Sequence, residues 1–262
     1  MNPAWPLPKS DPWSTPFAQV LVDQLDIFQG ATVLDIAAGG GIPAFYLAEQ
    51  VGPDGQVLAI DIHHGQVMRC RSIQGNHLPW LKFEVGDMRQ LPPTLPRFDR
   101  ITGNISFMFF RPNRFEALGN LIKFLNPGGK IVLTFPSLGT FDSLWQRVNK
   151  EMTERKLESE ARALAEYIEE RPSANQARQW LEELGLEKVQ VTEWPLEIAT
   201  QPGRSFLEHP LLRGGFLDDV YECFQDQVLA EEFMTVISED LPSFTPLIAQ
   251  RCVMSGSSAE GR

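Results

Sequence analysis

Val33-Leu34-Asp35-Ile36-Ala37-Ala38-Gly39-Gly40-Gly41-Ile42-Pro43 sets an apolar run, with one acid inside it, directly before three glycines and a proline. Extended backwards, Ala31-Thr32-Val33-Leu34-Asp35-Ile36 has the short, β-branched character of a strand buried on both faces. Glycines after such a strand let backbone approach a ligand closely, and the start of the next helix offers N–H groups without partners. A nucleotide-like ligand is the natural occupant of that turn. The spacing Gly39-x-Gly41-x-x-Ala44 also satisfies the loose dinucleotide fingerprint, so the glycines alone leave a nicotinamide enzyme open.

Strand and helix patterns alternate outward from this segment. Residues 56–61, 80–85, 98–103 and 130–135 read as further strands, with helices near residues 42–50, 64–74 and 115–125 between them. That rhythm predicts an α/β fold, Rossmann-like, with a mainly parallel sheet and helices on both faces. After Pro136 the rhythm stops. Residues 142–170 read as one long or two shorter helices, and a helix from Pro172 closes at Gly185. Residues 186–200 and 247–254 complete a seven-stranded sheet, with a helical insertion over residues 203–241 between them. The expected organisation is a single domain, 1–262, with an N-terminal arm and helix at 1–30 and a binding core at 31–136. A helical insertion at 137–171, a helix and sixth strand at 172–200, a second helical insertion at 201–245 and a seventh strand at 246–255 follow. The small, polar tail at 256–262 reads as disordered, and the proline-rich first dozen residues as extended.

The 262 residues are 43% hydrophobic and 22% charged, enough to bury one large core. A formal net charge of −11 repels nucleic acid and anionic membrane surfaces, and the arginines are too scattered to offset it. Cys70, Cys223 and Cys252 are far apart and odd in number, which argues for a reducing compartment. With no run of about 20 apolar residues and no basic, apolar leader, the expectation is a cytoplasmic protein. The four histidines lack metal-ligand spacing, so no metal is expected.

Three acids sharpen the reading of the turn. Asp35 puts a carboxylate beside it, awkward for a pyrophosphate but suited to the amino group of a methionine moiety. Asp61 closes the second strand, where a carboxylate accepts from both ribose hydroxyls. Asp87 closes the third, where an acid accepts from an adenine amino group and Met88 offers a backbone N–H and an apolar side.

Leu34-Asp35-Ile36-Ala37-Ala38-Gly39-Gly40-Gly41 resembles motif I of the class I S-adenosylmethionine-dependent methyltransferases, in the D-x-A-x-G-x-G form of the quinone-biosynthesis, or type 11, small-molecule branch. Phe98 to Phe110 is similar to that branch's fourth strand and following loop, and Asn126-Pro127-Gly128-Gly129-Lys130 to its turn into strand five. The resemblance covers residues 31–136. It implies that Asp35, Ala37, Gly39 and Gly41 surround the methionine part of the cofactor and that Asp61 and Ile62 hold its ribose. It also implies that Asp87 and Met88 hold the adenine and that Asn104 and Ile105 form a floor under the sulfonium. Ala37 replaces the commoner first glycine of the motif. Asn104-Ile105-Ser106 departs from the signature used on exocyclic and amide nitrogens, which argues against nucleobase and glutamine acceptors.

The expected reaction is methyl transfer from S-adenosylmethionine, leaving S-adenosylhomocysteine, to a small, partly apolar metabolite at an oxygen, carbon or nitrogen. Phe107, Phe109 and Phe110 mark a substrate pocket after the fourth strand, with Trp13, Trp145 and Arg213 as further candidates, the insertions acting as lids. No side chain is assignable as catalytic base. A protein of this fold that binds the cofactor yet catalyses cyclisation, or only binds ligand, is the alternative. A nicotinamide-dependent reductase ranks below both, for want of a Tyr-x-x-x-Lys pair after the fourth strand. The expected partner is a small molecule, with no nucleic acid and no membrane, and a homodimer is the assembly to test.

Overall fold

The computed structural model describes residues 13–209, 212–213 and 216–261; the extended reading of the first dozen residues lies outside them. In chain order the first elements are α1 (Ser14–Leu25), β1 (Thr32–Ile36), α2 (Ala44–Val51), β2 (Gln56–Asp61), α3 (His64–Gln74), β3 (Leu81–Val85) and β4 (Phe98–Gly103). A 3-10 turn (Phe107–Phe109), α4 (Arg114–Ile122) and β5 (Leu125–Pro136) follow. Next come α5 (Asp142–Glu154), α6 (Glu158–Glu169), α7 (Ala174–Glu183) and β6 (Glu187–Ile198). Last are α8 (Arg204–Leu207), α9 (Phe216–Glu222), α10 (Gln227–Glu239) and β7 (Leu247–Ser257).

The seven strands form one sheet in the order β3-β2-β1-β4-β5-β7-β6. β1 pairs in parallel with β2 and β4, β2 with β3 and β4 with β5, while β7 runs antiparallel to β5. The chain moves one way from β1 to β3 and the other way from β4, so a crevice opens at the carboxyl ends of β1 and β4, the usual ligand position in open α/β sheets.

The chain divides into two compact units: one of residues 1–136, 174–193 and 251–262, the other of 137–173 and 194–250. In the first unit the period-two alternation of β1 decides which helices it meets. Leu34 and Ile36 enter a core with Leu118 and Leu121 of α4 and Ala177 and Leu181 of α7. Val33 and Asp35 face the other way, on the side where α1, α2 and α3 pack against the strands. In the second unit Arg171 is buried with its guanidinium 4.7 Å from the Trp145 ring centroid, 4.6 Å from Tyr167 and 5.0 Å from Phe216. It donates to Thr140 O and to the Tyr167 hydroxyl, so the charge is enclosed by partners rather than bare.

Two expectations change. Residues 126–129 lie inside β5 as a bulge, since Phe98 pairs with Leu125 and Arg100 with Lys130. Of the tail expected to be disordered, Ser258 and Ala259 pair with that bulge. β7 runs on to Ser257, Gly128 N donates to Ala259 O, and Ser258 donates from its N to Gly129 O and from its hydroxyl to Asn126 O. The long helical stretch is two helices, parted at Lys156, whose φ is +59°.

Candidate functional site

The glycine turn leaves β1 through Ala37, which takes φ +50°, followed by Gly39 at +50° and Gly41 at +84°. Two bonds bind it to the neighbouring strand end: Ala38 N donates to Ile60 O at 2.9 Å and Gly39 N to Asp61 Oδ2 at 2.7 Å. The other oxygen of Asp61 accepts from His63 N at 2.8 Å. Asp61 therefore fixes the turn as well as facing the space above it, a role its strand-end position alone did not disclose. Gly41 serves packing instead: a Cβ there would lie 2.6 Å from the Phe45 ring and 3.4 Å from Cys70 Sγ. At Gly40 a Cβ would meet nothing within 4 Å, and this residue borders open space.

Ala37 holds a left-handed backbone that an L-residue adopts at a cost of about 1–2 kcal/mol. Glycine relieves that cost but loses about 0.4–1 kcal/mol through unfolded-chain entropy. Ala37→Gly is expected to raise stability by up to about 1 kcal/mol, read from the denaturant midpoint.

Above the turn lies a cavity of about 530 Å³, within the range of small-molecule sites. Its walls include Ala37, Gly39, Asp61, Ile62, Asp87, Met88, Asn104 and Ile105, all eight from the first unit. Two expected members, Asp35 and Gly41, are not in the wall. Trp13 and Phe109 complete its apolar side.

Arg89 is a wall residue that sequence reasoning missed. Its guanidinium brackets Asp87, with Nη2 2.8 Å from Oδ2 and Nε 3.0 Å from Oδ1, and Arg89 N donates to Oδ1 at 2.9 Å. These bonds hold the Asp87 carboxyl below the usual carboxylate range. The signal was the spacing Asp87-Met88-Arg89. Gly40, Ile42 and Gln66 also border the cavity without having been singled out for it, and His63, which follows Asp61 in sequence, borders it too.

The floor is tied from below. Thr134 Oγ1 donates to Asn104 Oδ1 at 2.8 Å and accepts from Ile105 N at 2.8 Å, while Asn104 Nδ2 donates to Ser14 O at 2.9 Å. Ile105, at φ +53°, is thereby held in a conformation that side chains seldom adopt. Gly103 lets the chain turn there, since a Cβ would strike Ser106 and lie 2.6 Å from Ile36 Cγ1.

The phenylalanines divide. Phe109 is 49% exposed and lines the cavity, but Phe107 and Phe110 are fully buried. Phe107 packs with ring centroids 5.3 Å from Phe110, 5.1 Å from Phe135 and 5.8 Å from Trp180, which makes it core rather than pocket wall. Trp145 and Arg213 fall in the second unit. Trp145 is buried there with Nε1 donating to Thr140 O at 2.6 Å, and Arg213 is paired with Asp218 at 2.9 Å over the Tyr221 ring.

Asp35 is fully buried behind the turn, and neither of its oxygens makes a hydrogen bond of good geometry. Burial, then the charge of Asp61, pushes its pKa well above the ordinary aspartate value, and interaction with the Thr102 hydroxyl works the other way.

Residues 33–129 match a family model described as a methyltransferase domain. The ubiquinone/menaquinone biosynthesis C-methyltransferase UbiE of Bordetella avium is 30% identical over 64% of this chain and 69% of its own length. Methyltransferase GfsG of Streptomyces halstedii is 28% identical over 72% of this chain and 66% of its own. Among solved structures, the YcgJ protein of Bacillus subtilis superposes with a TM-score of 0.61 at 15% identity, covering 94% of this chain and 99% of that one, a likeness of fold. The chain spans 36%, 27% and 66% of the length of the first curated relatives it matches.

Proposed function

Since this chain belongs to the class I S-adenosylmethionine-dependent methyltransferases, we propose that it transfers a methyl group from S-adenosylmethionine to a small, partly apolar metabolite. One observation carries the reading: the glycine turn, two strand-end acids and the Asn104–Ile105 floor meet around a single cavity. The residues present fit an adenosyl group. Asp61 keeps acceptor capacity for ribose hydroxyls beyond its two backbone N–H bonds, beside Ile62. Asp87, oriented by Arg89, and Met88 suit an adenine edge. Ala37, Gly39 and Gly40 leave the space above the turn to the amino-acid portion.

Bound there, the cofactor supplies an electrophilic methyl on a sulfonium. Displacement at that carbon is in line, so the chain's tasks are alignment and exclusion of water. Asn104 and Ile105 form a rigid base for that alignment, and Trp13 and Phe109 offer apolar surface to the acceptor. The relative named for quinone biosynthesis supports an acceptor of this apolar kind. An amine or thiol acceptor would need only lone-pair exposure and desolvation, whereas a hydroxyl, phenol or activated carbon must also lose a proton to a base, and no wall residue is assigned to that task.

The test is to incubate the protein with S-adenosylmethionine and fractionated small metabolites and weigh the products. A product heavier by one methyl group, formed with S-adenosylhomocysteine, is expected. A ligand-dependent product of unchanged mass would instead establish the non-methylating alternative, cyclisation or rearrangement.

A further inference from the structure

Among the described residues of the first unit, Asp35 is a buried acid that does not line the cavity. It lies inside β1, opposite Ala59 of β2 and Thr102 of β4, fully enclosed, and the Thr102 hydroxyl is the polar group close enough to act on its carboxyl, although no hydrogen bond of good geometry joins them. An ionised carboxylate left so would be costly, whereas a neutral acid is tolerable. Two neighbours reach the cavity. Ala37, two residues along, lines it, and so does Asp61, whose charge bears on Asp35.

We propose that Asp35 is a neutral carboxylic acid in the ligand-free protein and gives up its proton to solvent when a ligand carrying an ammonium or sulfonium group fills the cavity. The inference rests on the cofactor reading above. The O–H bond of Asp35 breaks, the electron pair stays on the carboxylate, the proton passes to buffer, and the ligand's positive charge balances the new negative one. Two changes act in the same direction. A cation above the turn stabilises the carboxylate through a low-dielectric gap, and ribose hydroxyls donating to Asp61 weaken the negative field that opposed ionisation.

The surroundings leave Asp35 as the responsive group. Asp61 at the end of β2 and the Cys70 thiol on α3 are the titratable neighbours coupled to it, and Thr102 is its polar neighbour on β4. Burial pushes the Cys70 thiol up to about 11, so it stays protonated. Asp23 on α1, Tyr46 and Glu49 on α2, and His64, Arg69 and Arg71 on α3 are exposed or half-buried.

Calorimetric titration with S-adenosylmethionine, in buffers of different ionisation enthalpy at one neutral pH, counts the protons released. Net release is expected for the wild type, abolished in Asp35→Asn and retained in His63→Gln, which removes the histidine that borders the cavity. Binding without release, release that persists in Asp35→Asn, or release lost in His63→Gln overturns the proposal while the cofactor reading stands. No binding at all overturns both. Should Asp35→Asn fail to fold, the wild-type infrared difference spectrum decides: the C=O band of a buried carboxylic acid is present without ligand and bleached on its addition. A spectrum lacking that change contradicts the proposal.

Discussion

Phe107→Ala is expected to cost about 3–5 kcal/mol of folding stability, the range for removing a large buried aromatic side chain. Phe107 is fully buried with Phe110, Phe135 and Trp180 around it, and these rings cannot all collapse into the space it would leave. Phe109→Ala is the contrasting case. Its ring is 49% exposed at the cavity edge, so stability should stay within about 0.5 kcal/mol of wild type while KM for the acceptor rises. Denaturant midpoints and steady-state kinetics on both variants check the pair. Equal stabilities would show that Phe107 is not the core residue its burial makes it.

The second large effect is on cofactor affinity. Asp61→Ala removes the acceptor for Gly39 N and His63 N and the acceptor proposed for the ribose hydroxyls. Hydrogen bonds to charged groups contribute about 1.5–3 kcal/mol each, and part of that is spent on ordering the freed turn. Affinity for S-adenosylhomocysteine is expected to fall by about 2–4 kcal/mol, roughly thirty- to a thousandfold, measured by calorimetry. A variant that binds as tightly as wild type would remove Asp61 from the ribose site.

The strand ends were legible because an acid following an apolar β-branched run marks the point where a buried strand meets solvent. Asp61 and Asp87 obey that rule, and both line the cavity. Asp35 does not, because it precedes the strand's last residue, Ile36, and its side chain lies within the packed layer rather than at the edge. Pattern reading also took the phenylalanines after β4 as a continuous apolar surface. The 3-10 turn at Phe107–Phe109 separates them, placing Phe107 and Phe110 inward and Phe109 outward, as a three-residue period requires. The tail was misread for a different reason. Its partners are backbone groups of the bulge at residues 126–129, and no side-chain pattern in Ser255 to Gly261 announces them.

Electrostatic pairing was the least visible layer. Arg89 lies only two residues beyond Asp87, yet the bidentate contact depends on the chain turning at Met88 to Gln90 after β3. The arginine lowers the acid's pKa further and fixes its orientation, and the carboxylate is what an adenine amino group would meet under the proposed function.

The most direct test is a crystal structure of the protein soaked with S-adenosylhomocysteine. The ribose hydroxyls should lie within hydrogen-bond distance of Asp61, the adenine beside Asp87 and Met88, and the amino-acid end over Ala37 to Gly40. Density for the ligand elsewhere on the chain, with this cavity still holding only solvent, would contradict the account.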